Sequence, residues 1–461
     1  MKKRYTHIDL VYLALVVVTA LASGSAMAVA FGEEESLAFL AASDDLIPYA
    51  SLAVGLSPLA AFQLLWRVSM SWRYAACPPA PDAALPLATV VIPAYNEGRQ
   101  VLDTIRSVMA SDYPADKLHI LCIDDGSADD TWQWMLLGAK EFPARLRLLR
   151  QPRNMGKRHA LLAGFRQARG EVFVTIDSDC LVLPDTLRHL VSPLAASPRT
   201  GAVAGNVRVL NRDDGAIPKM LDVSFTMSFD FLRRGQGTYG GVLCTPGALS
   251  AYRTSALAPA MEAWAEQTFM GRPANIGEDR ALTNIILGQG LRVDYQKDAV
   301  VLTNVPAGYR GLYRMLLRWA RSNVRECLVM LRFLPRRFRQ GDGGSGWVRL
   351  SGISELLMLP ATEIVKAASL AGLCLAPFAG AQALVLGSLI AAAVPAVVYQ
   401  FRERGLFGLV WGVGYCFFWV FGLSWITLWG LFTATRSGWL TRDLEPAAAP
   451  GALAKESPDA A

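Results

Sequence analysis

Three polar groups stand out because each follows a short apolar run: Asn96 and Glu97 after "ATVVIPAY" (88–95), Asp124 and Asp125 closing "LHILCIDD", and Asp177 and Asp179 after "EVFVTI". Aspartates at i and i+2 on a strand terminus can aim oxygens at one hard cation, which suits Mg2+ or Mn2+ carrying a diphosphate. Acidic strand ends that converge on one rim repel each other unless a divalent cation and a donor-rich ligand join them. Lys157, after "RNMG", either meets a phosphate or starts a solvated helix, and Asp129 or Asp130 reads as a cap for the next helix.

A second pattern carries charge of the other sign. In "GLYRMLLRWARSNVRE" (311–326), helical spacing puts Arg314, Arg318, Arg321 and Arg325 on one narrow face. The plain reading is a basic amphipathic helix on an anionic membrane surface, each Arg contributing about 1 kcal/mol, continued by "LPRRFR" (334–339).

The elements that position these groups alternate between about 86 and 345. Apolar strands at 88–95, 118–127, "RLRLLRQ" and "EVFVTIDSD" are separated by helices at "RQVLDTIRSVMAS", "DDTWQWMLLGAKEF" and "KRHALLAGFRQA". The pattern predicts a parallel sheet covered by helices on both faces, with ligands beyond the carboxyl ends of the strands.

The flanks are different. At 18% charged and 52% hydrophobic, the 461-residue chain is too apolar for an ordinary soluble enzyme and too polar for membrane spans alone. Runs at 12–31 and 46–66 match the roughly 20 residues a spanning helix needs, and they predict a hairpin led by a signal anchor rather than a cleaved signal peptide. Lys2, Lys3 and Arg4 precede it and Arg67 and Arg73 follow, while the link holds only acidic charges, so the N-terminus and the middle domain are expected in the cytoplasm. Beyond 350, a helix entering from the interface, a span at 381–400 and a compressed hairpin at 406–433 are expected, then a disordered tail. Seven scattered Cys without a C-x-x-C pair, and four His without H-E-x-x-H, argue against a disulfide framework, a zinc site or a zinc hydrolase. No feature requires a nucleic-acid partner.

Taken in order, "VVIPAYNEG", "CIDDGSADDT", "RNMGKRHAL" and "TIDSDCLVLPDTL" resemble the family 2 glycosyltransferases over roughly residues 86–330. The resemblance implies an α/β GT-A (Rossmann-like) fold and a nucleotide-diphosphate sugar donor. It implies that Asp124 and Asp125 hold the uracil and ribose, with Asn96 and Glu97 on the same rim. It also implies that Lys157 lies by the nucleotide and that Asp177 and Asp179 bind Mg2+ or Mn2+. "NIGEDRALTN" looks like the family's acidic motif, which implies Asp279 as general base beside Glu278, with Arg280 either touching substrate or neutralising the pair.

A catalytic domain set between membrane helices is similar to processive synthases that secrete the polymer they build. "GEDRALTN" followed by "LRWARSNVRE" looks most like hyaluronan synthases and nodulation chitooligosaccharide synthases. Set after Asp279 and before the membrane spans, Arg318 is expected to meet the leaving diphosphate and Trp319 to stack on the acceptor sugar, while Arg321 and Arg325 keep the lipid-facing duty, so Arg325 is expected to matter much less to turnover. The tail "SGWLTR" resembles a gating loop, implying that Trp439, Thr441 and Arg442 close over the nucleotide. Two departures are visible: Met315 stands where the family's Q-x-x-R-W has Gln, and Pro246 precedes Gly247 in "CTPGALSAYR".

The expected layout is a transmembrane hairpin (1–75), a cytoplasmic GT-A domain with interfacial helices (76–345), C-terminal transmembrane helices (346–435), and a gating-loop-like segment with a tail (436–461). The expected activity is an inverting, processive β-glycosyltransferase of the inner (plasma) membrane. It takes UDP-N-acetylglucosamine, alone or with UDP-glucuronate, to a growing polysaccharide among membrane lipids. The alternatives are a single-addition transferase acting on a lipid or short acceptor, and a degenerate domain serving assembly or export.

Overall fold

In chain order the strands are β1 (Ala88–Ala94), β2 (Leu118–Asp124), β3 (Leu146–Arg150), β4 (Val172–Ile176), β5 (Cys180–Val182), β6 (Thr200–Val209), β7 (Leu249–Arg253), the small hairpin β8 (Thr268–Phe269) and β9 (Arg272–Pro273), and β10 (Arg292–Thr303). These come from a computed structural model that describes residues 47–336, 339, 344–375 and 377–436. β1 is buried at every position, as the apolar run "ATVVIPA" requires of an inner strand. Eight strands form one sheet in the order β3-β2-β1-β4-β7-β6-β10-β5.

The sheet is mixed rather than wholly parallel. β7 runs antiparallel to both β4 and β6, and β5 antiparallel to β10. An apolar strand pattern carries no direction, and here the preceding loop sets it. Gly247 already lies at the rim where Lys157 and Asp177 sit, so the chain must enter β7 from the end at which its neighbours finish, and Leu249 pairs with Ile176.

The helices are α1 (Ile47–Arg73), α2 (Gln100–Met109), α3 (Thr131–Glu141), α4 (Lys157–Gln167), α5 (Thr186–Ala196), α6 (Ala216–Thr226), α7 (Glu278–Gly288), α8 (Tyr309–Met330), α9 (Gly344–Leu375), α10 (Pro377–Tyr399) and α11 (Leu406–Phe417). α6 continues through a π-helical stretch, Met227–Arg233, and α11 through another, Phe418–Leu423, into a last helix, Ser424–Phe432. Segments 344–374 and 406–432 are long and apolar enough to cross a membrane.

The hairpin expected at 406–433 is one continuous helix. The run holds five glycines and no Asn, Asp or Pro, and none of the glycines opens a turn: a π-helical stretch keeps the backbone bonded through Gly422 instead. Both of its ends are tied to the sheet domain. Before it, Lys219 pairs with Glu403 at 2.5 Å, and Asp222 takes Arg402 at 3.1 Å and the Tyr399 hydroxyl at 2.8 Å. In the middle the Tyr309 hydroxyl donates to the Gly422 carbonyl at 2.6 Å, and at the far end Arg321 donates to Thr433 at 2.9 Å. The run at 12–31 and the segment with Trp439, Thr441 and Arg442 lie outside the described residues.

Candidate active site

The rim is assembled from backbone donors that the acidic residues fasten. Asp125 accepts the Met155 and Gly156 N–H groups, both at 2.8 Å, and so holds the loop before α4 against the end of β2. Asp124, wholly buried, accepts the Ser127 N–H at 2.9 Å and pairs with Arg150 at 3.0 Å. Asn96 adopts a left-handed conformation that Asn tolerates, and its side chain accepts the Ala128 N–H at 2.8 Å. The Glu97 N–H donates to the Thr131 hydroxyl and Asp129 accepts the Thr131 N–H, while Asp130, at the N-cap of α3, makes no side-chain capping bond.

Lys157, the first residue of α4, is the hinge of the site. Its buried ammonium lies 2.5 Å from Asp177 and 3.0 Å from Glu278, so one aspartate of the i, i+2 pair after β4 and one carboxylate of the pair that opens α7 share one cation. Burial opposes its charge, but Asp177 and Glu278 raise its pKa above lysine's ordinary value. Gly247 leaves the room for this contact, since a Cβ there would stand 2.8 Å from the Lys157 nitrogen.

The two carboxylates of α7 are pushed apart. Burial alone would raise Glu278, yet Lys157 and then Arg318 pull it down to about 2. Asp279 is raised by burial and by the charge of Glu278. One oxygen of Asp279 accepts the Arg280 N–H at 2.8 Å; the other stands 3.8 Å from the Cys244 thiol. Arg280 does not neutralise the pair by direct contact: its guanidinium reaches Glu355 on α9 at 3.4 Å and the Cys327 sulfur. Asp179 is pushed up to about 6 by burial and then by Asp177.

The arginine face of α8 differs from the lipid-facing stripe read from its spacing. Arg321 and Arg325 are 5% and 2% exposed, turned into the protein, because α8 packs between α7 and the 424–432 helix rather than lying free. Arg318 is half-buried toward Glu278, and Trp319, 41% exposed, is tilted against Phe225. Met315 is core, 7% exposed, so an apolar side chain is what its site holds. Sequence reasoning missed the link from Lys157 to Glu278 and the duties of Gly247 and Arg325; the glycine in "NIGED" was the available signal that backbone crowds this site.

A protein-family model described as glycosyl transferase family 2 matches residues 89–258. An N-acetylglucosaminyltransferase of Sinorhizobium fredii is 30% identical over 401 residues, covering 86% of this chain and 93% of that one. A protein of the same name from Rhizobium sp. is 33% identical over 54% of this chain, and the match spans 55% of that relative. A mannosyltransferase from Pyrobaculum calidifontis, solved with GDP-Man and Mn2+, shares the fold at a TM-score of 0.57 and 22% identity, over 83% of this chain and 99% of that one.

Proposed function

The chain belongs to glycosyl transferase family 2 and is a glycosyltransferase, and from that premise we propose that it transfers N-acetylglucosamine from UDP to the growing end of a β-linked saccharide, with inversion, and passes the product across a membrane. The name shared by the rhizobial relatives supports the sugar. The apolar helix 344–374 after the catalytic domain, with the apolar runs at 12–31 and 381–400, supports a multi-pass inner-membrane enzyme with that domain in the cytoplasm, built on residues 1–75, 76–345, 346–435 and 436–461 as above, the 406–432 helix lying along the membrane surface.

One observation carries the chemistry: of two adjacent carboxylates Glu278 is held by the Lys157 ammonium at 3.0 Å and lowered, while Asp279 touches no cation among the described residues, keeps one oxygen clear of the Arg280 N–H and is raised by burial and by the charge of Glu278. Such a split assigns acid–base roles. Glu278 stays ionised and holds Lys157, while Asp279 acts as base. Its second oxygen, left free of the Arg280 N–H, takes the proton of the acceptor hydroxyl as that oxygen attacks the anomeric carbon. The bond to the diphosphate breaks on the opposite face, and its electron pair leaves with UDP. Arg318 and Lys157 lie where that developing charge is met, and Trp319 offers the acceptor sugar an exposed ring face.

Among the described residues no cluster of three or more His, Cys, Asp or Glu makes a ready-built metal cage. Asp177 and Asp179, half-buried on an open rim, fit a hard cation whose other ligands come from the diphosphate and water. Mg2+ or Mn2+ there supplies charge neutralisation for the leaving group. Asn96, Glu97, Asp124 and Asp125 shape the nucleotide side of the rim, Arg280 borders the acceptor side, and Trp439, Thr441 and Arg442 close it.

The test uses the purified chain in a lipid bilayer with Mn2+ and UDP-N-acetylglucosamine, with and without UDP-glucuronate, reading UDP release and product length. Asp279→Asn is expected to lose about 10²- to 10⁴-fold in turnover. Release of no UDP from any UDP-sugar, or full activity of the variant, overturns the reading; products one sugar longer than the acceptor overturn processivity.

A further inference from the structure

The base of a glycosyl transfer must be held still, yet Asp279 sits one residue into a helix whose entry is under constraint. Gly277 has φ +73°, the left-handed region, and a Cβ on it would meet the Ser322 Cβ at 2.5 Å and the Arg325 guanidinium at 3.1 Å. The backbone entering α7 is therefore pressed against the Ser322–Arg325 face of α8. On that face the Arg325 guanidinium donates to the Ile276 carbonyl, and its Nε pairs with Glu326 at 3.2 Å. Glu326, 1% exposed, in turn takes the Asn284 amide of α7 at 3.0 Å.

The other side of the turn is held as well. The Trp264 indole donates to the Glu278 carbonyl at 3.2 Å, and Arg158, next to Lys157, donates to the Trp264 carbonyl at 2.6 Å while lying over its ring. Arg325 and Glu326 thus close a polar frame around residues 276–279. A fully buried ion pair is weak evidence of stability, because desolvation consumes its attraction. Its placement against the left-handed turn that opens α7 calls for a different account.

We infer that Arg325, with Glu326, is the positioning residue of this transferase: it fixes the turn that aims Asp279 and makes α8, which also presents Arg318 and Trp319, the single rigid element that registers base against acceptor. The inference rests on the reading of Asp279 as base. Misplacement by about 1 Å is enough to cost roughly 100-fold in rate without loss of binding.

The experiment compares Arg325→Ala, the volume-conserving double variant Arg325→Met with Glu326→Gln, and Asp279→Asn in the full bilayer-embedded chain. Binding of UDP, turnover with UDP-N-acetylglucosamine, thermal unfolding and amide exchange of peptide 274–281 are read for each. Both Arg325 variants are expected to keep UDP affinity within about threefold and to lose about 100-fold in turnover, with faster exchange confined to 274–281. Added guanidinium is expected to restore Arg325→Ala in part and Asp279→Asn not at all. Unchanged exchange of the peptide, turnover per folded molecule near wild type, or losses that merely track the folded fraction overturn the inference. Where Arg325→Ala does not fold, the double variant decides alone by the same readings. Wild-type turnover by Asp279→Asn sinks the base assignment instead, and the exchange result then still decides whether Arg325 orders the turn.

Discussion

At the scale of single residues, the acidic rim was legible and its wiring was not. Asn96, Asp124, Asp125, Asp177 and Asp179 announce themselves by following apolar runs, and the sheet puts all of them at one edge. Spacing cannot say which cation sits between which anions. The ammonium of Lys157 bridges Asp177 and Glu278 across more than a hundred residues of chain, a long-range contact that leaves no local trace. Its dependence on a missing side chain is testable. In Gly247→Ala the new methyl lies 2.8 Å from the Lys157 nitrogen and 3.7 Å from Glu278 and Asp177, so the lysine tip must withdraw while the fold keeps its backbone. Turnover is expected to fall about tenfold, equivalent to roughly 1.4 kcal/mol of lost transition-state stabilisation, with an unfolding temperature close to wild type. A large fall in that temperature with normal activity per folded molecule contradicts the assignment.

At the scale of elements, helical periodicity located α8 and misjudged its face. Four arginines at 3.6-residue spacing look identical whether the stripe meets lipid headgroups or buried carbonyls and carboxylates; only the packing partner distinguishes them. The four strands read from the sequence do pair in parallel, and the strands that run the other way, β7 and β5, are ones the alternation did not reveal. A second case is Asp222 on α6, 1% exposed, which nothing in its sequence context marks. It gathers Tyr399 and Arg402 from the end of α10 and the turn beyond, and Arg212 at 3.9 Å from the opposite side. Breaking a buried pair by removing one partner costs about 3–5 kcal/mol. Asp222→Asn, which keeps the shape and removes the charge, is therefore expected to lower the unfolding temperature in detergent and to loosen α10 from the sheet domain. Protease cleavage at the 400–405 turn, read against wild type, measures that loosening. An unchanged cleavage pattern means that apolar contacts alone hold the junction.

At the scale of the whole molecule, the segments outside the sheet domain follow composition, and how they sit on it does not. Length and hydropathy mark 406–432 as capable of crossing a membrane, and a basic tail suggested that the chain comes back to the side it left. The contacts bring it back without a hairpin. Glu403 is bound to Lys219 before the helix, Gly422 to Tyr309 in its middle and Thr433 to Arg321 after it, all on the same domain. A helix of 27 residues is about 40 Å long at 1.5 Å per residue, and three attachments along that length fasten it to the sheet domain. Its outward residues, among them Phe407, Trp425, Trp429 and Phe432, are exposed and apolar, as an interfacial helix with one face in lipid requires. Cysteines placed at Gly405 and Arg436 in a chain whose native Cys are replaced are accordingly expected to react from the same side of sealed vesicles with a thiol reagent that does not cross lipid. Labelling of the two positions from opposite sides shows that the helix spans, and that the contacts of its two ends cannot both exist in the membrane.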